Sequence, residues 1–277
     1  MKTGNQKWKP TKKTLEEKRK NFLKKVNSKK IKVAEESIKD YIYFENIKGK
    51  SFLDIGCGSG LFSLAAKNLG AKVFSFDYDK ECVNCAKILK NKFYKNNSKW
   101  KITQGDILNN KFINSIEKFD IVYSWGVLHH TGNLWQALEN TSKLVKNEGI
   151  IFISLYNNQG FYSKIWSKIK KTYNNSNFLV KLSLITFFYI FFHLRSFIIM
   201  LFKTIFFKTK VENNKDISRG MDWITDLIDW IGGYPFEVST PDEIFEFFHN
   251  KGFILKKLKT CRNGHGCNEF VFKKANK

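Results

Sequence analysis

The sequence predicts an α/β fold: a mostly parallel sheet, covered by helices on both faces, that ends in an antiparallel hairpin. Between residues 51 and 155, short apolar segments of strand length alternate with longer segments of helical period. Parallel strands that are buried on both faces are continuously apolar and need helical crossovers, so this alternation indicates a parallel sheet. Residues 240–277 instead contain one helix and then two consecutive strands, which predicts the hairpin.

The predicted elements follow in order along the chain. Apolar positions from Ile31 to Phe44 fit one face of a helix. The predicted strands are Ser51–Ile55, Lys72–Phe76, Lys99–Gln104, Phe119–Ser124 and Ile150–Leu155, and the helices among them are Ser59–Leu69, Lys80–Phe93 and Leu134–Val145. Thr240 as N-cap, Pro241 and Glu243 then start a helix, which precedes the strands 253–259 and 268–273.

These elements divide the chain into a basic arm (1–32), a core (33–157 plus 239–277) and a helical, apolar and basic cap insertion (158–238). The insertion contains a Phe-rich segment, 178–207, whose longest stretch without Lys or Arg has thirteen residues. That is shorter than the ~20 apolar residues of a membrane-spanning helix. Two interpretations stay open for this segment: a helix packed on the core, or an interfacial helix on a membrane.

The net charge of +23 is concentrated in two segments. Residues 1–32 carry +11 and residues 160–215 carry +9, and only four of the 48 cationic residues are Arg. Because nucleic-acid readers rely on Arg, the sequence favours a surface that attracts anionic lipid, and nucleic acid is not the expected partner. Five cysteines without framework spacing and an N-terminus without an apolar signal segment predict a cytoplasmic protein. The two basic segments and the Phe-rich insertion add the hypothesis that it docks peripherally on the inner membrane face.

A glycine-rich turn, Gly56-Cys57-Gly58-Ser59-Gly60, joins the first strand to the first helix. Alternate glycines allow a tight turn and a close approach of a ligand to the backbone. Leu61 breaks the dinucleotide pattern G-x-G-x-x-G. Asp54 precedes the turn, Asp77 ends the second strand and Asp106 follows the third. Three acids at the carboxyl ends of successive strands predict a nucleoside-containing ligand at that edge of the sheet.

The segments LDIGCGSG, FSFDYD, GDI and FDIVYSWGVLHH together resemble four motifs of the class I S-adenosylmethionine-dependent methyltransferases. The version with two histidines resembles the ubiquinone-biosynthesis-type small-molecule and lipid methyltransferases. The resemblance covers about 33–157 and 239–277, and it implies a Rossmann-like seven-stranded sheet with six parallel strands and one antiparallel strand. It also implies S-adenosyl-L-methionine as cofactor.

The resemblance further implies a cofactor role for individual residues. Asp54 and the turn of Gly56, Cys57, Gly58 and Gly60 would hold the methionine part. Asp77, followed by Tyr78, would bind the ribose. Asp106 would accept a hydrogen bond from the adenine amino group. From their positions after strands three and four, Ile107 is expected to pack on the adenine ring and Trp125 to line the pocket, with plain packing as the alternative for Trp125.

Two adjacent histidines, His129 and His130, follow the fourth strand. An imidazole, with an ordinary pKa near ~6.5, suits the removal of a proton from a hydroxyl or amine acceptor. We expect adjacent side chains to point apart, so that one histidine, by preference His130, is the catalytic base; a structural role for both stays open. Tyr156 and Asn157, at the end of the fifth strand, are the predicted substrate contacts.

The sequence therefore predicts an enzyme that moves a methyl group to an oxygen or nitrogen of a small or lipid-linked acceptor. The alternatives are an RNA or protein methyltransferase recruited through the basic segments, and a cofactor-binding pseudoenzyme. No metal site is predicted, because the Cys82–Cys85 pair lacks a second pair and the cysteines near the C-terminal turn lack a fourth ligand.

Overall fold

A computed structural model of the chain describes residues 26–43, 46–95, 99–207, 223–262, 264 and 266–276. Most of the predicted arm (1–32) and residues 208–222 of the predicted cap lie outside the described residues. The helices are α1 (Ser28–Tyr41), α2 (Leu61–Asn68), α3 (Lys80–Tyr94), α4 (Asn110–Ser115), α5 (Leu134–Lys143), α6 (Phe161–Asn175), α7 (Phe178–Phe207), α8 (Trp223–Gly232) and α9 (Pro241–His249). The strands are β1 (Ser51–Ile55), β2 (Lys72–Asp77), β3 (Trp100–Gln104), β4 (Phe119–Trp125), β5 (Val145–Tyr156), β6 (Phe253–Lys259) and β7 (Cys267–Lys274).

The strands form a seven-stranded sheet in the order β3-β2-β1-β4-β5-β7-β6. β7 is antiparallel to both of its neighbours, β5 and β6, whereas the pairs β1–β2, β2–β3 and β4–β5 are parallel. The predicted fold class, a sheet of six parallel strands with one antiparallel strand in a C-terminal hairpin, is confirmed.

The chain divides into two compact units, residues 1–106 and 107–277. In the first unit, Asp54 of β1 is in register with Ser75 of β2, and Asp77 of β2 is in register with Gln104 of β3. Its core buries apolar side chains of the strands and of the helices that cross over between them, among them Phe52, Leu53, Leu64, Ala65, Phe76, Leu89 and Trp100. This packing fixes the carboxyl ends of β1 and β2, where the predicted cofactor residues lie.

The second unit holds β4–β7 and the helices from α4 onward. Phe270 and Phe272 of β7 stack on one another, and Phe248 of α9 stacks on Phe272. The helix start predicted at Thr240 is present as a capping box, in which Thr240 Oγ1 accepts from the Glu243 N–H and Glu243 accepts from the Thr240 N–H. This cap sets the position where the chain returns from the insertion to the sheet.

Several predicted boundaries are wrong. Helix α2 begins at Leu61, not at Ser59, because Gly60 has a left-handed φ of 84° and cannot be part of the helix. Strand β5 begins at Val145, five residues before the predicted start, because it continues through an irregularity in which the register with β4 shifts between Phe119 and Ile121. The sequence pattern also missed the short helix α4 and a 3₁₀ helix at Leu128–His130.

The insertion forms three helices, α6, α7 and α8, within the described residues. α7 is one continuous helix, and over Phe178–Leu201 it is long and apolar enough to cross a membrane by length and composition. The sequence expectation that this segment is too short was wrong, because it counted only residues between cations and Arg195 lies inside the apolar span. One described residue of α7, Phe188, is buried, in a small cluster with Trp166, Leu227 and Ile231.

Candidate active site

In the first unit, the turn between β1 and α2 has a backbone that glycine alone adopts without strain. Gly58 and Gly60 have φ values of 53° and 84°. A Cβ on Gly60 would lie 3.0 Å from the Cβ of Ala86, so close packing against α3 also requires glycine there. The turn is held in place by hydrogen bonds from the N–H groups of Gly56 and Cys57 to the carbonyl oxygen of Phe76. The turn therefore has the open, tightly bent backbone that a close approach of a ligand requires.

Asp77 anchors this turn to the end of β2. Its Oδ2 accepts from the Gly58 N–H at 2.8 Å and its Oδ1 accepts from the Asp79 N–H at 2.8 Å. Burial raises the pKa of the Asp77 carboxyl above its ordinary value, and the backbone hydrogen bonds oppose that shift. A carboxylate has about four lone-pair sites, so these two bonds leave capacity for a ribose diol.

The residues after β2 and β3 lie beside each other. The Gly105 N–H donates to the Asp77 carbonyl at 3.0 Å, which brings Asp106 to the same edge as Asp77. The Tyr78 ring, 66% exposed, follows Asp77 directly. The structure thus brings together the turn, Asp77, Tyr78 and Asp106, four parts of the predicted cofactor site.

Asp54, which precedes the turn, is buried and takes part in a series of buried hydrogen bonds. The Trp100 indole N–H donates to Ser75 Oγ at 3.0 Å, the Ser75 hydroxyl lies 2.7 Å from Ser63 Oγ, and the Ser63 hydroxyl donates to Asp54 Oδ2. Since Ser63 gives its proton to Asp54, Ser75 must be the donor to Ser63. Burial raises the pKa of Asp54 to about 7, with the hydrogen bond from Ser63 acting in the opposite direction. Asp54 therefore joins the end of β1 to the first turn of α2 through Ser63, and its predicted contact with the methionine part stays a prediction.

In the second unit, Ile107 and Trp125 have clear structural contacts. Ile107 is buried, and its carbonyl oxygen accepts from Asn140 Nδ2 at 2.8 Å. The Trp125 indole N–H donates to Glu269 Oε1 at 2.8 Å, which ties the end of β4 to β7. These contacts give both residues a structural role in the fold. Their predicted contacts with the cofactor stay predictions.

His129 is fully buried in the 3₁₀ helix that follows β4. Its Nδ1 accepts from the Tyr156 N–H at 3.3 Å, so in the neutral ring the proton is on Nε2. That Nε2 has no hydrogen-bond partner of standard geometry among the described residues. Burial holds the pKa of His129 well below its ordinary value, and the positive charges of His130 and Lys170 act in the same direction. His129 is therefore a neutral N–H donor in this structure.

His130 has the opposite tautomer. Its Nδ1 lies 2.7 Å from the carbonyl oxygen of Pro235, and since a carbonyl can only accept, Nδ1 carries the proton. Nε2 is then the nitrogen with the free lone pair, as a general base requires. Burial lowers the pKa of His130 to about 4, the hydrogen bond to Pro235 opposes the shift, and Lys170 adds to it.

The expectation that the two adjacent histidines point apart is wrong. Their ring centroids are 4.4 Å apart, with an interplanar angle of 67°. The physical reason is the 3₁₀ helix, in which neighbouring residues differ by about 120°, whereas in a strand they alternate between opposite faces. Both rings also contact Tyr156, whose centroid is 3.9 Å from that of His129 and 5.3 Å from that of His130.

The two predicted substrate contacts differ in the structure. The Tyr156 ring joins the histidine pair to Trp230 and Phe236, with centroid distances of 5.0 and 5.1 Å. Asn157 instead secures the C-terminal hairpin: its Nδ2 donates to the Arg262 carbonyl, and its Oδ1 accepts from Asn268 Nδ2, both at 3.0 Å. Tyr156 is thus brought to the histidines, whereas both amide atoms of Asn157 are committed to structural hydrogen bonds.

Lys170 of α6 is a residue that the sequence reasoning missed. It is fully buried, and its Nζ donates to the Trp230 carbonyl and lies 4.2, 4.9 and 5.5 Å from the ring centroids of Trp230, Phe236 and Tyr156. Burial lowers the pKa of its ammonium to about 7. The signal available in the sequence is that Ser163, Trp166 and Lys170 share one helix face, on which a lysine is unusual.

Glu237 fixes the loop that carries the histidines. Its carboxylate accepts from the N–H groups of Gly132 and Leu134 at 2.9 and 3.0 Å, and its own N–H donates to the His129 carbonyl at 3.0 Å. The segment that returns from the insertion therefore positions both histidines through Pro235 and Glu237. Sequence spacing could not indicate this, because these partners are more than 100 residues apart.

A family model described as a methyltransferase domain matches residues 53–151. The chain is 35% identical over 109 residues to the ubiquinone biosynthesis O-methyltransferase of Glaesserella parasuis, a match that covers 39% of this chain and 46% of that relative. It is 33% identical over 112 residues to the ribosomal protein L11 methyltransferase of Helicobacter hepaticus, covering 39% of this chain and 32% of that relative. The chain spans less than half the length of these two curated relatives.

Among solved structures, the magnesium protoporphyrin IX methyltransferase of Synechocystis PCC 6803, solved with bound S-adenosylmethionine, matches with a TM-score of 0.52 and 11% identity. The match covers 88% of this chain and 79% of that chain. At this identity the match shows a shared fold. The family model, the two relatives and the shared fold together identify residues 53–151 as a methyltransferase domain of the class I, S-adenosylmethionine-dependent family.

Proposed function

We propose that the chain transfers the methyl group of S-adenosylmethionine to an oxygen or nitrogen of a small or lipid-linked acceptor. The residues of the first unit fit the donor: a glycine turn that admits close approach, with the carboxylates of Asp77 and Asp106 beside it. When bound, the cofactor supplies an electrophilic methyl group on a sulfonium. The protein then has to orient the acceptor and remove its proton.

The observation that carries the proposal is the hydrogen bond from His130 Nδ1 to the Pro235 carbonyl. It fixes the tautomer whose Nε2 can take a proton, and the lowered pKa keeps the ring neutral at pH 7. The free Nε2 of His130 can take the proton of a hydroxyl acceptor, and the ammonium of Lys170, which lies 5.5 Å from the Tyr156 ring centroid, would stabilise the resulting oxyanion. Oxygen is therefore the favoured acceptor atom.

The aromatic surroundings support an apolar or ring-containing acceptor. The Tyr156 ring, which contacts both histidines, also contacts the rings of Trp230 and Phe236. Aromatic walls with a few polar groups are typical of sites for small organic ligands. The relative named as a ubiquinone biosynthesis O-methyltransferase supports the same class of acceptor.

Transfer of tritiated methyl groups tests the proposal. The purified chain is incubated with labelled S-adenosylmethionine and, in parallel, with a membrane lipid extract, an aqueous metabolite extract, ribosomal proteins or total RNA. We expect label in the lipid or metabolite fraction, and we expect His130→Gln to abolish it without weakening cofactor binding. Label confined to protein or RNA would overturn the acceptor class, and no label in any fraction would favour a pseudoenzyme.

A protein acceptor is the second candidate, and it rests on a specific observation. The relative from Helicobacter hepaticus that shares the domain is named for methylation of ribosomal protein L11. The ribosomal-protein arm of the experiment decides between this candidate and the small or lipid-linked acceptor.

We also propose that the enzyme is cytoplasmic and docks peripherally on the inner membrane face. All five cysteines are free thiols, as suits a reducing compartment. Between residues 160 and 207 there are seven Lys or Arg residues and no Asp or Glu, which suits the anionic cytoplasmic leaflet. Cell fractionation that recovers the chain from the membrane fraction, and releases it with high salt, would support this location.

A further inference from the structure

Helix α7 presents a long apolar face that no described part of the protein covers. Ile190 and Leu194 are each 56% exposed, and Phe187 is 60% exposed. With about 100° per residue, six large apolar side chains lie within about 80° of one another on this face: Leu179, Phe187, Ile190, Leu194, Phe197 and Leu201. We call these six residues the outer face of α7. Contiguous apolar surface of this extent on a soluble chain marks an interaction site.

The opposite face of α7 packs on the protein. Phe188 is buried against Trp166 of α6 and the α8 residues Leu227 and Ile231, and Leu184 and Phe192, one turn away on either side, pack on the same cluster. The helix is therefore fixed to α6 and α8 along one stripe, and the outer face points away from them.

The cations of this region lie on the protein side of α7 and on α6. Lys181 and Arg195 fall within about 20° of Phe188 around the helix, and Lys181 Nζ lies 5.6 Å from the Tyr173 ring of α6. Lys164, Lys168 and Lys171 of α6 are exposed. A helix with an apolar outer face and with Lys181 and Arg195 on the opposite side has the pattern of a helix that lies in the interface of an anionic membrane.

We propose that the outer face of α7 embeds in an anionic phospholipid bilayer, with the helix axis in the plane of the membrane. A second copy of this chain fits the surface less well, because residues 160–207 contain no Asp or Glu, so contact between two outer faces would leave the cations of α7 without anionic partners.

The same contacts argue against a helix that crosses the bilayer. The middle of α7 is packed on α6, so a transmembrane orientation would carry the exposed lysines of α6 into hydrocarbon, at several kcal/mol each. Arg195 would also lie well inside the span. In the plane of the membrane the outer face enters to about 5–10 Å, and Lys181 and Arg195, on the opposite side of α7, extend toward the headgroups.

A continuous series of ring contacts leads from α7 to the histidine pair. The Phe188 and Trp166 centroids are 5.1 Å apart, those of Trp166 and Trp230 are 5.6 Å apart, and Trp230 contacts Tyr156. A membrane-embedded α7 would hold the groups around His130 at a fixed height above the lipid. This position of the active site narrows the methyl acceptor to an amphipathic molecule drawn from the bilayer, an inference that rests on the proposed function.

Vesicle sedimentation tests the membrane surface without any acceptor. The full chain is mixed with vesicles of phosphatidylcholine alone, or of phosphatidylcholine with 30% phosphatidylglycerol. The variant Ile190→Glu/Leu194→Glu places two charges on the outer face. Ile254→Glu/Leu258→Glu is the matched control on β6, where these residues are 52% and 41% exposed. We expect salt-sensitive binding to the anionic vesicles, reduced at least tenfold by the double variant and unchanged by the control.

Depth measurements separate an in-plane helix from a spanning one. Leu179 and Ile190 lie on the same face and eleven residues apart, about 16 Å along the axis. A fluorescent unnatural amino acid, whose emission is separate from that of the seven native Trp residues, is introduced singly at each position and should be quenched to the same shallow depth by brominated lipids. Depths that differ by most of 16 Å would overturn the in-plane orientation.

Other outcomes also overturn the proposal. These are equal binding to neutral and anionic vesicles, no loss of binding in the double variant, or a stable dimer in lipid-free buffer that the double variant dissociates. Circular dichroism checks that each variant is folded. Because binding is measured without cofactor or acceptor, vesicle binding with no methyl transfer would refute the proposed function alone, and methyl transfer with no vesicle binding would refute this surface alone.

Discussion

His130 Nδ1 lies 2.7 Å from the carbonyl oxygen of Pro235, and this one contact distinguishes His130 from its neighbour. His129 uses its Nδ1 as an acceptor for the Tyr156 N–H, whereas His130 uses its Nδ1 as a donor. Two adjacent imidazoles in the same buried loop therefore have opposite tautomers. The nitrogen free to take a proton belongs to His130.

His130→Gln should lower kcat about 10²-fold or more while the affinity for S-adenosylmethionine stays the same, because a general base of this kind contributes 10²–10⁴-fold. His129→Gln should have a smaller effect on kcat, since the neutral His129 has no free lone pair. Below pH 7, wild-type activity should fall as the pH approaches about 4, where His130 gains a proton. Steady-state kinetics over pH 4–8 check this. Equal losses of kcat in both variants would contradict the assignment.

Asp77→Asn should weaken binding of S-adenosylmethionine at least tenfold. The amide has one acceptor oxygen in place of two, so it cannot hold the Gly58 and Asp79 N–H groups and also accept two ribose hydroxyls, and each lost charge-assisted bond costs about 1.5–3 kcal/mol. Asp79→Asn is the control, because it removes a nearby charge while asparagine still caps α3. Isothermal titration calorimetry measures both. Unchanged affinity in Asp77→Asn would remove the ribose assignment.

The cofactor half of the site could be predicted from the sequence because its constraints are local. The turn needs glycine at Gly58 and Gly60 for its own φ angles, and Asp77 must follow a strand to reach the turn. The environment of the histidines could not be predicted in the same way. Pro235 and Glu237 reach them through bonds that span more than 100 residues, and Lys170 looks like its exposed neighbours Lys168 and Lys171 until the fold buries it.

The sequence also could not show which side of α7 packs on the protein, because that depends on residues of other helices. Hydrophobic periodicity identifies a helix and its apolar side chains, but residues 178–207 are apolar almost all round. Which stripe packs on the protein depends on where Trp166 and Ile231 lie, and these belong to other helices. The stripe with Phe188 is buried, and the remaining apolar surface stays exposed.

Lys170 should make the free energy of unfolding rise with pH. Its pKa is about 7 in the folded protein and near its ordinary 10.5 in the unfolded chain. Between those values the unfolded state binds more protons than the folded state, so stability increases with pH, by at most about 1.4 kcal/mol per pH unit. Urea unfolding at pH 7, 8 and 9 should show a steeper rise for the wild type than for Lys170→Met. The control variant Lys168→Met, at an exposed position of α6, should show the same rise of the free energy of unfolding with pH as the wild type. If the free energies of unfolding of wild type and Lys170→Met differ by the same amount at every pH, the lowered pKa of the buried Lys170 amine is contradicted.

Gly60→Ala should destabilise the protein more than Gly58→Ala, although both positions have positive φ. Any Cβ in the left-handed region costs about 1–2 kcal/mol. At Gly58 a Cβ meets nothing within 4 Å, so that strain is the whole cost. At Gly60 it would lie 3.0 Å from Ala86 Cβ and 3.1 Å from Ala86 Cα, and relieving an overlap with backbone costs about 1–3 kcal/mol more. Urea unfolding should therefore separate the two variants by more than about 1 kcal/mol.

The double variant Gly60→Ala/Ala86→Gly removes the Cβ partner at 3.0 Å and should recover part of the loss after correction for Ala86→Gly alone. Equal stability of the two single variants would mean that α3 moves away from the turn without cost, and the close packing of Gly60 on Ala86 would then have no role in shaping the cofactor turn.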